Sequence, residues 1–387
     1  MYYERVLYNR REETAMSIYE DLGMTPVINA HETITLWGGS VMPPEVLEAM
    51  REAAGTFVSI PELNRRVGER IALLTRNEAA FVTGGCAAAL TVALAACITG
   101  CDAAKAERLP DTRGMKDEVV VHRCQRNPYD RALLATGARI VEFGYSIYKA
   151  SAAQLESAIS ERCAAVFYFA GTVYERFALS LEQTVEIAVR HGVPVIVDAA
   201  AQVPPAENLW RFTERGASLA LYSGGKGLRG PQNSGLVLGN AELIRAVEIN
   251  AAPRHAVGRP MKTSKETIVG LLRAVELFLE TDHQAEYRRM MKQVRRLNAS
   301  IEGLSGIETD LLPTGRLGQQ YPRGVVRLRP DCGRDREWLM ASLMEGDPPV
   351  VVGRLDEDER AVYINPFGLA PGQEEVIADR IRALLGG

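Results

Sequence analysis

The chain has 387 residues, 45 Lys and Arg against 49 Asp and Glu, a net charge of −4 and 47% hydrophobic content. That balance gives no global pull toward nucleic acid, and the longest apolar run, Cys86 to Ile98, is alanine-rich and too short to span a bilayer. Six cysteines without a CxxC pair and five scattered histidines set aside a disulfide framework and a metal site, so reduced thiols in a cytoplasm are expected.

Residues 1–24 read as an N-terminal arm, with Met16 as an alternative start. From residue 25 to 260 strand-like and helix-like segments alternate, which marks a large domain. Strands are expected over Ala80–Thr83, Glu118–His122, Arg139–Phe143, Ala164–Ala170, Val193–Val197, Ser218–Leu221 and Gly235–Gly239. Helices are expected between them over Ala87–Ile98, Tyr129–Thr136, Ala152–Ser160 and Leu181–Arg190. The strands are continuous apolar runs rather than alternating ones, so both faces are expected to be buried. Repeated units of this kind build an α/β fold, a mainly parallel sheet covered by helices. Ligands of such folds bind beyond the carboxyl ends of the strands. Between Gly100 and Lys116 lies a polar loop. After residue 260 the pattern changes to two amphipathic helices, Glu266–Phe278 and Ala285–Leu297, then short strands interleaved with helices. Residues 261–387 therefore read as a smaller α+β domain.

Lys226 is the most informative residue. It stands in Ser223-Gly-Gly-Lys-Gly-Leu-Arg-Gly-Pro-Gln232, just after an apolar strand, so its amine sits on a bare loop that a planar group can approach. Upstream, the strand Val193–Val197 leads into Asp198. A strand-end carboxylate followed by a glycine-flanked lysine suits pyridoxal phosphate. The lysine would form the Schiff base, and the carboxylate would keep the pyridine nitrogen protonated. Thr83-Gly84-Gly85-Cys86 joins a strand to a helix, where small residues and free N–H groups can cradle a phosphate. The same turn taken alone is plain turn chemistry. Ser223 is a further phosphate candidate, and Gln125 and Gln202 complete the set of expected cofactor contacts. No GxGxxG stands at a strand-to-helix turn, which sets a nicotinamide dehydrogenase aside.

The chain resembles the fold-type-I pyridoxal-phosphate enzymes, nearest the branch of bacterial selenocysteine synthase and D-glucosaminate-6-phosphate ammonia-lyase. The likeness runs from about Met16 onward. It rests on Thr25-Pro-Val-Ile-Asn-Ala30, Gly38-Gly-Ser-Val-Met-Pro-Pro-Glu-Val46, Val82-Thr-Gly-Gly-Cys-Ala-Ala88 and Arg126-Asn-Pro-Tyr-Asp130, together with the lysine motif, Gly258-Arg-Pro-Met-Lys262 and Glu345-Gly-Asp-Pro-Pro349. It implies Lys226 as the internal aldimine, Asp198 as partner of the pyridine nitrogen, and at least a homodimer. Three departures stand out. About two dozen residues precede Thr25, where the synthases carry a tRNA-binding domain, so tRNA is not the expected substrate. Gln125 replaces a frequent histidine, and Glu32 a small residue.

The expected substrate is a small anionic amine. Arg254 and Arg259 lie in a Gly/Pro-punctuated basic loop, and Arg354 follows an apolar strand; each reads either as a carboxylate or phosphate contact or as a solvated arginine. The expected reaction is α,β-elimination with ammonia release, through an external aldimine and a carbanion. Lys226 is the candidate base. β-Replacement, aldol cleavage, racemisation, transamination and non-catalytic cofactor binding remain open alternatives.

Overall fold

A computed structural model describes residues 18–386. The expected arm lies outside the described residues up to residue 17, as does the alternative start at Met16; Ile18–Asp21 forms one helical turn. Twelve strands follow among the described residues. They are β1 Ile28–Ala30, β2 Ala79–Thr83, β3 Glu118–His122, β4 Arg139–Phe143, β5 Cys163–Phe169, β6 Val195–Asp198, β7 Leu219–Ser223, β8 Gly235–Gly239, β9 Ile307–Leu312, β10 Arg323–Leu328, β11 Val350–Arg354 and β12 Ala361–Ile364. The polar 100–116 segment carries a short helix, Ala103–Arg108, started by the Asp102 side chain, which accepts from Ala104 N and Lys105 N.

Two compact units emerge. The larger holds Thr33–Arg289 and Pro313–Pro322; the smaller holds the described residues up to Glu32, then Met290–Leu312 and Arg323 onward. Divisions at 25 and 260 were expected from the sequence. Here the segment up to Glu32 goes with the C-terminal part, and the helix Lys265–Glu280 stays with the larger unit. Chain order hides this, because β1 is short and pairs in parallel with β11, more than 300 residues later (Ala30 beside Val352).

In the larger unit a seven-stranded sheet runs β2-β8-β7-β6-β5-β3-β4, and β8 alone is antiparallel to its neighbours. Every residue of β3, β5, β6 and β8 is buried. Successive side chains point to opposite faces, which splits the core in two. Val120, Val166, Val197 and Leu236 join one apolar cluster, while Val121, Phe167, Ile196 and Val237 join the other. Full burial of each such side chain contributes roughly 1.5–3 kcal/mol. The helix Cys86–Thr99 packs against β7, β8 and the helix Ala241–Asn250, so it is apolar almost all round. Its alanines allow that close approach. Its buried hydroxyls are satisfied: Thr91 Oγ1 donates to Ala132 O at 2.8 Å and Thr99 Oγ1 to Ala95 O at 3.0 Å.

The smaller unit has a five-stranded sheet, β1-β11-β12-β10-β9, antiparallel except for the β1–β11 pair. One face, with Ile28, Val326, Val352 and Val362, packs against Leu297, Leu339 and Ile377 from helices. Strand β9 was not expected. As an edge strand carrying Glu308, Thr309 and Asp310, it is only partly buried and lacks the apolar run that marks the others.

Candidate active site

The carboxyl ends of β5, β6 and β7 lie side by side, with Phe169 paired to Asp198 and Asp198 to Leu221. Asp198 is the last residue of β6, a strand-end carboxylate as the sequence leads one to expect. Its carboxylate is buried and accepts a hydrogen bond from Ala200 N at 2.9 Å. Burial pushes its pKa up, partly offset by that hydrogen bond and by the positive charge of Lys226.

Lys226 sits in the turn between β7 and β8, half-buried. Its glycine neighbours are needed for close approach. A Cβ on Gly225 would stand 2.4 Å from Gln232 Cα, and one on Gly227 would stand 1.8 Å from Val203 O. The turn is held by Gly230 N donating to Gly224 O, Gly224 N to Ser234 O, and both Ser40 N and Ser40 Oγ to Gly225 O. Gly225 to Gly230 does have the GxGxxG spacing. It joins β7 to the antiparallel β8, with no helix opening after it, so it is not a dinucleotide fingerprint. Arg229 within it takes a left-handed conformation, φ 54°, uncommon for a residue with a side chain. Burial lowers its pKa, opposed by Glu286. Ser223 ends β7 opposite Gly235.

The helix Cys86–Thr99 opens at Gly85, φ 115°, with no side chain capping it, and a Cβ there would meet open space. The first N–H groups of the helix are therefore left to an outside acceptor. Gly84 is required by approach: a Cβ would lie 2.8 Å from Met261 O. Thr83 does not offer its hydroxyl proton to a ligand as expected, because Oγ1 donates to Gly85 O at 3.0 Å and braces the turn. The Cys86 thiol, in the first turn of this helix, is pushed well up by burial; Asp198 raises it further and Lys226 lowers it. Three residues far apart in sequence thus share one electrostatic neighbourhood.

Other expected residues are placed differently. Gln125 is wholly buried, with Nε2 donating to Phe169 O and Oε1 accepting from Phe169 N, both at 3.1 Å. It clips the end of β5 instead of presenting a face to a ring. Gln202 donates to Ala170 O at 3.2 Å and to Leu317 O at 3.4 Å, so its amide serves the scaffold as well. Arg254 is exposed in the loop closed by the Ala251–Gly258 bridge, and Arg259, just beyond it in the turn Arg259–Met261, is half-buried. Arg354 pairs with Glu337 at 2.5 Å on the surface of the smaller unit, which favours the solvated alternative. Glu32, also in the smaller unit, has a buried Oε1 with no hydrogen-bond partner.

Two features escaped the sequence reading. Tyr174, in the short helix Thr172–Glu175, lies with its ring centroid 5.6 Å from that of Phe169, and its carbonyl is 3.4 Å from Cys124 Sγ. The segment Pro313–Pro322 connects β9 and β10 of the smaller unit yet belongs to the larger one. No periodicity or motif marks either.

No family model matches the chain. It is 32% identical, over 95% of its length and 98% of the relative's, to a D-glucosaminate-6-phosphate ammonia lyase from Salmonella typhimurium. It is 30% identical, over 97% of its length and 94% of the relative's, to a 5'-C-glycyluridine monooxygenase-decarboxylase from a Streptomyces species. A solved D-glucosaminate-6-phosphate ammonia-lyase superposes with a TM-score of 0.85 at 31% identity, covering 96% of this chain and 99% of that one. Near-full-length matches at this identity, on a scaffold that gathers a lysine, an aspartate and an uncapped helix start, decide the assignment: the chain belongs to the fold-type-I pyridoxal-phosphate enzymes, in the branch of the D-glucosaminate-6-phosphate ammonia lyases and L-seryl-tRNA(Sec) selenium transferases.

Proposed function

We propose that the protein is a pyridoxal-phosphate-dependent ammonia lyase acting on an anionic hydroxylated amino acid or amino-sugar acid. The observation that carries this reading is the electrostatic coupling of Lys226 with the buried Asp198 beneath the carboxyl ends of the parallel strands. The near-full-length likeness to an ammonia lyase directs it toward elimination. The residues suit the cofactor in three ways. A buried carboxylate complements a pyridinium, an amine lies within its field, and an uncapped helix start with open space at Gly85 suits a phosphate. The expected contacts through Gly84, Gly85, Cys86 and Ser223 are kept in this proposal. Thr83, Gln125 and Gln202 act as braces around them.

When bound, pyridoxal phosphate supplies the electron sink that makes an α-proton removable. Asp198 would keep the ring nitrogen protonated, because a buried negative charge is stabilised by the proton it faces. Lys226 would hold the cofactor through its Nζ, and the same amine, when free, would take the α-proton and pass it to the departing β-hydroxyl. Proton transfer of this kind contributes about 10²–10⁴-fold. The net reaction converts a β-hydroxy-α-amino acid into a keto acid and ammonium. Arg254 and Arg259 remain candidates for the substrate's carboxylate.

One observation favours a second reading: the glycyluridine enzyme is almost as similar over nearly the whole chain. A decarboxylating oxidation would use the same lysine and aspartate. We further infer a cytoplasmic homodimer. All six cysteines are free thiols, and Leu36, Val41, Phe57 and Leu73 of the larger unit are exposed, with Phe57 fully so, an apolar surface that a second copy would cover. The deciding assay presents purified, cofactor-loaded protein with amino-sugar acids, β-hydroxy amino acids and a glycyl nucleoside. Ammonia and keto acid in equal amounts without oxygen uptake support the lyase; oxygen consumption with carbon dioxide release replaces it with the second reading. Light scattering on the same sample tests the dimer.

A further inference from the structure

The segment Pro313–Pro322 is a strap laid across the end of β5. It is internally braced: Gly315 N donates to Gln319 O, Gly318 N to Gly315 O, and Leu317 N to Gln319 Oε1 at 2.9 Å. Its own Gln319 and Tyr321 are buried, and Tyr287 Oη holds its start by donating to Pro313 O at 3.0 Å. Its tip is then tied down at two consecutive carbonyls. Thr172 Oγ1 donates to Arg316 O at 3.1 Å, and Leu317 O accepts from Thr172 N and from Gln202 Nε2, both at 3.4 Å. The fit is close: Gly171 has φ 138°, a conformation that strains any residue with a side chain, and a Cβ would stand 3.2 Å from both Leu317 Cβ and Gln202 Nε2.

Those contacts attach the strap to the ligand-binding end of the sheet. Gln202 also donates to Ala170 O, and Ala170 N donates to Asp198 O at 2.9 Å. From the strap to the backbone of Asp198 the path is therefore a short run of hydrogen bonds. The strap stands over β5, two strands from β7, which puts it roughly 10 Å across the sheet from the strand that leads into Lys226. Arg316, at its tip, has an exposed side chain on a backbone fixed on both sides. The Tyr174 phenol, raised by burial, is drawn down by Arg316 and pushed up by Asp198, which places the charges of both residues around one hydroxyl.

We propose that Arg316, presented by the strap, recognises the anionic group of the substrate farthest from its reacting amine, a phosphate or a carboxylate. A guanidinium suits both by paired hydrogen bonds, and a six-carbon chain extended along the sheet reaches from the α-carbon across that interval. Tethering the carbonyls of Arg316 and Leu317 fixes where the charge sits, so that an anion at the wrong distance is not rewarded. This selection would set chain length as well as charge. The inference rests on the ammonia-lyase reading for its substrate class and adds the residue that selects within it.

The test uses sugar acids that lack an amine and so cannot react: 6-phosphogluconate, glucarate and gluconate, titrated into cofactor-loaded protein by calorimetry. The expected result is at least about tenfold tighter binding of one of the two compounds with a distal anion than of gluconate, phosphate and carboxylate being told apart by which one gains. Arg316→Ala should erase that preference while leaving the cofactor absorbance unchanged, and Arg316→Lys should restore part of it. Thr172→Val, which keeps the charge but cuts its tether, should lose about threefold. A wild-type protein that binds the three alike, or an Arg316→Ala protein that keeps the preference, overturns the proposal. Loss of ammonia-lyase activity from the list of functions, with the Arg316-dependent preference intact, would refute only the reaction.

Discussion

The Lys226 turn and the 313–322 strap border the same strand ends and are built in opposite ways. Around Lys226 the chain is packed so closely that glycine is dictated: a Cβ on Gly224, Gly225 or Gly227 would stand 1.9 Å from Ser234 Oγ, 2.4 Å from Gln232 Cα or 1.8 Å from Val203 O. The strap is tied down by partners 115 and 144 residues away, through the backbone carbonyls of Arg316 and Leu317, with little demand on residue type. A constraint on space leaves a composition that can be read. Contacts made through backbone atoms leave the side chains free to be anything, and nothing in the composition announces them. The lesson is that chemistry needing close approach is written in glycines, whereas selectivity can be carried by a segment with no signature.

The comparison can be broken at several points. Lys226→Ala should reduce ammonia release by about 10⁴-fold or more and abolish borohydride trapping of the cofactor on the 223–232 peptide. Survival of either would remove the turn from the chemistry. Gly227→Ala forces a Cβ into Val203 O and should cost about 1–3 kcal/mol in urea unfolding, with reduced cofactor loading. An unchanged midpoint would show that the turn has slack.

Gln125→Ala sharpens the contrast between scaffold and chemistry. It leaves Phe169 N–H and C=O without their buried partner, which should lower stability by about 1–3 kcal/mol while the cofactor absorbance band persists. Loss of the band at full stability would restore Gln125 as a cofactor contact. The smallest expected effect is at His122, on the far side of β3. Its ring is 2% exposed, Nδ1 accepts from Cys124 N at 3.0 Å, and burial pushes its pKa down to about 4, helped by Lys149. The unfolded chain binds a proton that the folded one refuses between pH 6.5 and 4, so this residue erodes stability as pH falls through that window. His122→Asn keeps an acceptor for Cys124 N and removes the titration. Unfolding across the window should then separate the two proteins by an amount on the order of 1–2 kcal/mol at its acid end.

Much of the larger unit was legible because its strands are buried on both faces. β3 and β5 read as uninterrupted apolar runs, and the alternation with helices implied a parallel sheet. Asp198 and Lys226 stood out as candidates for the same reason, one ending such a run and the other three residues beyond one. The smaller unit was harder. β9 carries three polar residues on an exposed edge, and β1 is a three-residue strand whose partner lies near the other end of the chain. Arg354 looked like a substrate contact because it ends an apolar strand, yet its exposed side chain pairs with Glu337 of a neighbouring helix.

Side-chain chemistry and hydrophobic period, properties of neighbours along the chain, were enough to name the cofactor, to single out a candidate lysine for it and to give the kind of sheet. Folding settled how polar groups are spent. Thr83, Gln125 and Gln202 each had the right functional group for a ligand, and each donates instead to a backbone carbonyl. Which donor meets which carbonyl depends on strands brought together from across the chain. That pairing exists only once the sheet has formed.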